Sequence, residues 1–309
     1  MSKTLLRVLC ALGVLVLNPA IGHGADDQWQ VGTAPSFSSG KYGTDSRTEV
    51  LYTPITARRL FGDGDLTLVF PWTCIRGHGV VTVVDGSPVR KELAATSGTT
   101  SGTTTTRTGT TDTTTRTGRT GDTSTTTTAT TDISLRPGTG AIAEEVNYCG
   151  TGVIVVRGRY FVTYEHGWIP TIALRAHVKA PTASADRGLG TGKPDEGAGI
   201  EISRSFHCGV TAMVDGGYTV IGKPVGVEFN NTWWYDVGIG QDLANRIVNL
   251  SVFFEEYRAL VPGLDNARDV LAALTLKSAS GWRVQVSGQF GLSDGAPDHG
   301  LAVGASRRF

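Results

Sequence analysis

The sequence predicts an all-β fold: an antiparallel transmembrane β-barrel of about 12 strands with one long, disordered, Thr-rich outer loop. Three observations predict it. Apolar residues recur at every second position through many short segments, the signature of a strand with one apolar face. Tight links alternate with long ones, as periplasmic turns and external loops do. After the N-terminal leader no segment is continuously apolar for the ~20 residues a helical span needs, so entry into a membrane has to be made by strands.

The leader comes first. Lys3 and Arg7 give a positive start, Val8 to Leu17 an apolar stretch, and Gly22-His23-Gly24 a small-residue cleavage site before Ala25. Residues 1–24 are therefore expected to be a signal peptide and residues 25–309 the mature barrel. The competing reading, a membrane-spanning helix, is disfavoured because the apolar run is about half the required length. Cys10 falls inside the leader. Cys74, Cys149 and Cys208 remain, and an odd number leaves at least one without a partner in the chain, which excludes a disulfide-dense scaffold.

Strands are expected at roughly 31–40, 46–60, 66–76, 151–163, 169–182, 196–206, 210–222, 231–243, 247–260, 267–279, 282–292 and 300–309. The alternation is plainest in Ile172-Ala173-Leu174-Arg175-Ala176-His177-Val178-Lys179, with one apolar face and one largely basic. It recurs from Trp282 to Phe290 with a polar second face, and at Val248, Leu250, Val252 and Phe254. A soluble β-sandwich shares the period of two. Strand length and aromatics placed near strand ends, among them Trp72, Trp168, Trp233, Tyr235 and Trp282, favour the membrane barrel instead. With the first strand running outwards, tight turns fall at Gly62-Asp63-Gly64-Asp65, Glu165-His166-Gly167, His207-Cys208-Gly209, Ala244-Asn245-Arg246 and Ala279-Ser280-Gly281. The long links then share the other side. One of them contains the Thr-rich block, residues 96–132, which lacks the apolar residues needed to offset its ordering entropy and is expected to be disordered.

In the last strand Leu301, Val303 and Ala305 share a phase that ends at the C-terminal Phe309. A terminal aromatic after an alternating strand resembles the signal read by the barrel-assembly machinery, which is therefore an expected partner together with outer-membrane lipid. Arg307 departs from that pattern, standing where such signals carry another aromatic. The segments LYTPITARRLFGDGDLTLVFPW, KAPTASADRGLGTGKPDEGAGIEISRSF, GGYTVIGKPVGVEFNN and GLSDGAPDHGLAVGASRRF resemble the outer-membrane family named for the meta-pathway of phenol degradation. The resemblance covers most of residues 40–309 apart from the Thr-rich block. It implies an outer-membrane channel or transporter for passive passage of small molecules, with aromatic or apolar compounds as expected cargo, and it brings no catalytic residues. Localisation in the bacterial outer membrane follows from the same resemblance and from the leader.

Assigning the more apolar phase of each strand to lipid leaves the other phase facing the lumen. That phase holds Arg58, Arg157, Arg159, Arg175, His177 and Lys179, then Glu201, Asp215, Asp236, Glu255 and Asp269, and returns to basic with Lys277, Arg283 and Arg308. A basic wall facing an acidic one would impose a transverse field on solutes. The alternative is a set of salt-bridged networks filling a narrow barrel, since unpaired buried charge is costly. Cys74 and Cys149 flank the long excursion at the ends of neighbouring strands and are expected to form a disulfide at its base, against the strand register read from the sequence, which sets their side chains on different faces. Cys208, in a tight turn, reads as a passive thiol.

Other motifs carry less. Gly188 to Pro194 superficially matches a phosphate loop but lacks the first glycine, and Pro194 stands where Ser or Thr would bind magnesium; an outer loop is the better reading. His78, His166, His177, His207 and His299 show no metal-ligand spacing, so neither metal nor cofactor is expected. Zero net charge gives no electrostatic reason for a nucleic-acid partner. The leading expectation is a non-enzymatic channel passing small-molecule solutes. The alternatives are an outer-membrane barrel hydrolase, for which no Ser, His and Asn cluster is found, and a surface-interaction protein anchored by the barrel.

Overall fold

A computed structural model of the protein describes residues 28–77, 81–84, 87–90, 146–185, 187–206, 209–224 and 228–309. The leader, the Thr-rich block, His78, His207 and Cys208 lie outside the described residues. The chain forms β1 (Gln28–Thr33), β2 (Ser36–Gly40), β3 (Thr48–Phe61), β4 (Gly64–Gly77), β5 (Val81–Val84), β6 (Ser87–Arg90), β7 (Val146–Thr151) and β8 (Val155–Thr163). It continues with β9 (Thr171–Lys179), β10 (Asp195–Ser205), β11 (Val210–Val220), β12 (Thr232–Leu243), β13 (Val248–Tyr257), β14 (Ala267–Lys277), β15 (Trp282–Gly291) and β16 (His299–Arg308).

Strands β5 and β6 pair only with each other. The other fourteen form one antiparallel sheet that closes on itself, because β1 and β2 both pair with β16 on one side and with β3 on the other. Closure abolishes the unpaired edge that an open sheet would present to hydrocarbon. Two staves of this barrel are each built from two strands in line. β1 and β2 are separated at Ala34-Pro35, where proline supplies no N–H, yet Val303 N–H still donates to Pro35 O at 3.0 Å. β7 and β8 are separated at residues 152–154, where Gly152 N–H donates to Pro71 O at 2.8 Å. Counting each broken stave once gives the twelve-stranded closed barrel.

The outer face of that barrel is apolar around its circumference. Leu51, Phe70, Leu174, Ile200, Val237, Leu250, Leu274 and Val303 are all exposed, on eight different strands. A soluble protein rarely exposes apolar patches beyond a few hundred Å²; a continuous belt is the face a barrel turns to lipid. This places the protein in the bacterial outer membrane. Among the described residues no helix is long and apolar enough to cross a membrane.

The tight connections and the two ends of the described chain share one end of the barrel, where Phe309 N–H donates to Trp29 O at 2.8 Å. One of these turns needs glycine: at Gly281 φ is +83°, and a Cβ would come within 2.7 Å of Arg308 O. The expected turn at 62–65 is shorter than its sequence suggested. Its turn residues are Gly62 and Asp63 only, and Asp65 belongs to β4 opposite Leu60.

At the other end the loops turn inward. Ala183 and Leu189, from the link between β9 and β10, are buried against Val50, Val69, Ile75, Val153 and Val155. Ile221 and Phe229 pack with Leu260 and Val261, joining the β11–β12 link to the β13–β14 link.

The lumen as candidate functional site

The inward phase is defined by the strand register. Arg159 lies opposite both Asp65 on β4 and Arg175 on β9, while its neighbour Tyr160 lies opposite the lipid-facing Leu174. Arg58, Arg157, Arg159, Arg175, His177, Lys179, Glu201, Asp215, Asp236, Glu255, Asp269 and Arg283 share one phase in the register. Register then sorts them. Glu201 lies opposite Asp215, Asp215 opposite Asp236, Asp236 opposite Glu255, and Glu255 opposite Asp269. Five carboxylates on five consecutive strands thus form one continuous row.

Cations meet the near end of that row. Arg58 donates to Asp65 Oδ2 at 2.6 Å, Arg159 Nε donates to the same oxygen at 2.9 Å, and Arg159 Nη1 reaches Glu201 Oε1 at 3.1 Å. This chain of charge-assisted bonds links β3, β4, β8 and β10. Arg175 pairs with Asp215. Among the described residues no ion pair reaches Asp236, Glu255 or Asp269.

Glycine makes room for Arg175. Gly199 lies between Arg175 and Gly217 in the register, and Gly217 lies opposite Trp234. A Cβ on Gly217 would stand 2.7 Å from Trp234 Cζ2 and one on Gly199 3.1 Å from it, so the indole lies flat over bare backbone. The Arg175 guanidinium stacks above it, 5.4 Å from the ring centroid. His177 Nε2 is 3.3 Å from Thr219 Oγ1 across Gly197.

Between these strands is an open cavity. Arg157, Arg175 and His177 from β8 and β9 line it, as do Trp234 and Asp236 from β12, Tyr257 from β13 and Asp269 from β14. Lys179 and Asp195 also line it as a buried ion pair. Lys179 Nζ donates to Thr191 Oγ1 at 3.0 Å, and Asp195 Oδ1 accepts from Gly222 N–H at 2.8 Å, tying the inward loop to the wall. Arg283 stands nearer the tight-turn end, opposite Lys277 and Ser306.

Sequence reasoning missed Asp65, Asp195, Trp234 and Tyr257. Asp65 shares its alternation phase with Thr67 and Val69 but was hidden by the glycines of the turn. Trp234 sits beside Trp233, and a run of aromatics does not reveal which ring points inward. Cys74 and Cys149 face each other in the β4–β7 ladder with an S–S distance of 2.04 Å. The interruption at 152–154 resets the alternation, so phase counted through it misplaces Cys149.

With that geometry, residues 78–309 match the family described as "Putative MetA-pathway of phenol degradation". The chain belongs to this family. Among solved structures, the family barrel is similar to the COG4313 outer membrane channel from Pseudomonas putida F1, at 8% identity and a TM-score of 0.60 over 95% of this chain and 100% of that one. It also matches the translocator domain of the autotransporter NalP from Neisseria meningitidis, at 10% identity and a TM-score of 0.43 over 98% and 96% of the two chains. No curated relative matches it in sequence.

Proposed function

We propose that the protein is an outer-membrane channel that passes small solutes passively through a lumen with a transverse electric field. The observation that carries this reading is the cavity inside the closed barrel, lined by Arg157, Arg175 and His177 from β8 and β9 and by Asp236 and Asp269 from β12 and β14. Facing charges of opposite sign across a low-dielectric wall orient dipolar solutes and set ion selectivity. The similar Pseudomonas barrel is itself an outer membrane channel, and the family description supports aromatic compounds among the cargo. The reading requires no catalytic group, cofactor or metal. It also includes export directed by residues 1–24 and recognition of β16, ending in Phe309, by the assembly machinery.

The test is single-channel conductance of the refolded protein in planar bilayers, with uptake of small aromatic solutes into liposomes measured alongside. Discrete conducting steps are expected, and Arg157→Gln with Arg175→Gln should move the reversal potential in a salt gradient towards cation preference. A barrel silent in both assays, or a reversal potential indifferent to both substitutions, would overturn the reading.

A further inference from the structure

At the tight-turn end of the barrel the inward phase is rich in cations. Trp282, Val284 and Val286 are exposed to lipid, so Arg283, between them on β15, has the opposite phase. On β16 the exposed phase holds Leu301 and Val303, which turns Ser306 and Arg308 inward as well. Register gathers these residues. Arg283 lies opposite Lys277 on one side and Ser306 on the other, and Arg308 stands two residues beyond Ser306. Arg308 in turn lies opposite Gln30, and Gln30 opposite Arg58. Lys277, Arg283, Arg308 and Arg58 thus form an arc over β14, β15, β16 and β3, with the neutral Gln30 of β1 interposed.

The four are unequally partnered. Arg58 donates to Asp65 Oδ2 at 2.6 Å, and Lys277 Nζ is 3.7 Å from Asp242 Oδ1. Among the described residues neither the Arg283 nor the Arg308 guanidinium has an ion-pair or hydrogen-bond partner. Arg283 is half-buried and Arg308 exposed. As diagonal neighbours they stand about 7–8 Å apart at Cα, within reach of long side chains, and like charges directly opposite, as at Lys277 and Arg283, destabilise a ladder. The charges of Arg308 and Arg58 both act on Arg283. Between the two arginines Ser306 Oγ accepts from Gln30 Nε2 at 2.9 Å, which leaves the hydroxyl proton to be donated elsewhere.

We infer that Arg283, Arg308 and the Ser306 hydroxyl form a binding site for the carboxylate of a small anionic solute at the periplasmic mouth of the lumen. Each guanidinium presents a planar fork of N–H donors that matches the two oxygens of a carboxylate, and the hydroxyl adds a further donor. A bound carboxylate offsets the repulsion between Arg283 and its cationic neighbours, which a neutral solute of the same shape does not. The inward phase of both arginines makes the occupant a solute rather than a lipid headgroup. The site rests on the channel reading in that this phase faces the lumen, and it assigns that lumen an anionic class of cargo.

The experiment is a saturation-transfer NMR titration of the full chain, refolded in detergent micelles, with benzoate and its neutral isostere benzamide as probes. Benzoate should bind the wild type more tightly than benzamide does. Arg283→Gln with Arg308→Gln should weaken benzoate binding at least fivefold and leave benzamide nearly unchanged. Arg204→Gln, on the lipid-facing phase with Ile200 and Ile202, should change neither. Equal binding of the two probes by the wild type overturns the inference before any variant is made. So does a folded double variant that binds benzoate as the wild type does. A conducting barrel without benzoate preference sinks this site alone, whereas a barrel that prefers benzoate but is silent in bilayers and liposomes sinks the channel reading alone.

Discussion

Asp65 holds two arginines at once, with Arg58 at 2.6 Å and Arg159 at 2.9 Å from a single oxygen. Its side chain is 8% exposed and those of both arginines 25%, so removing its charge leaves two half-buried cations facing each other. Asp65→Asn should destabilise the barrel by about 3 kcal/mol, in the range for breaking a buried pair by deleting one partner. Urea unfolding in vesicles measures it, and an unchanged midpoint would show that the network is idle. Tyr42, in the outer loop 41–47, is a second case. Burial chiefly pushes its phenol above the ordinary tyrosine range, with Asp298 adding to the effect. A raised folded-state value means its contribution is fully present below the unfolded pKa and is lost as pH rises through the folded one. Stability of wild type over Tyr42→Phe should therefore decline only in strongly alkaline solution, a difference that paired pH titrations of unfolding would expose.

At the scale of elements, the link between β9 and β10 decides how much of the lumen is filled. Leu189 is 2% exposed and anchors the apolar cluster against β3 and β4, while Lys179 and Asp195 hold the base of the same link. Leu189→Ala removes a buried anchor worth about 2–5 kcal/mol and should release the link from the wall. Larger single-channel conductance with the barrel still folded is the expected result; unchanged conductance would mean that this loop does not restrict the route. That the link folds inward was not legible in its composition. Gly188 to Pro194 reads as solvent-exposed turn sequence, and only its burial in the cluster that includes Val69 and Val155 reveals Leu189 as a core residue.

At the scale of the whole barrel, the row from Glu201 to Asp269 runs across five consecutive strands. Its first two carboxylates are paired with arginine and its last three have no ion-pair partner among the described residues. Any negative charge this wall carries attracts counter-ions. Asp236→Asn, Glu255→Gln and Asp269→Asn together should shift the reversal potential towards anions, opposite in sign to the shift from neutralising Arg157 and Arg175. Shifts of the same sign would show that the two walls do not act as opposed charges.

The sequence by itself determined the barrel, its twelve staves and, wherever the alternation runs unbroken, the two faces of a strand. The reason is local: a period of two assigns faces, and tight turns mark where strands reverse, without reference to any distant residue. Tertiary structure alone decided which charges meet. Arg159 finds Asp65 across 94 residues, the five carboxylates align through the stagger of five strands, and Trp234 lies over glycines from two neighbouring strands. Such meetings depend on register and closure, which a one-residue irregularity such as that between Phe161 and Thr163 can shift. Phase is written along a strand; register exists only between strands.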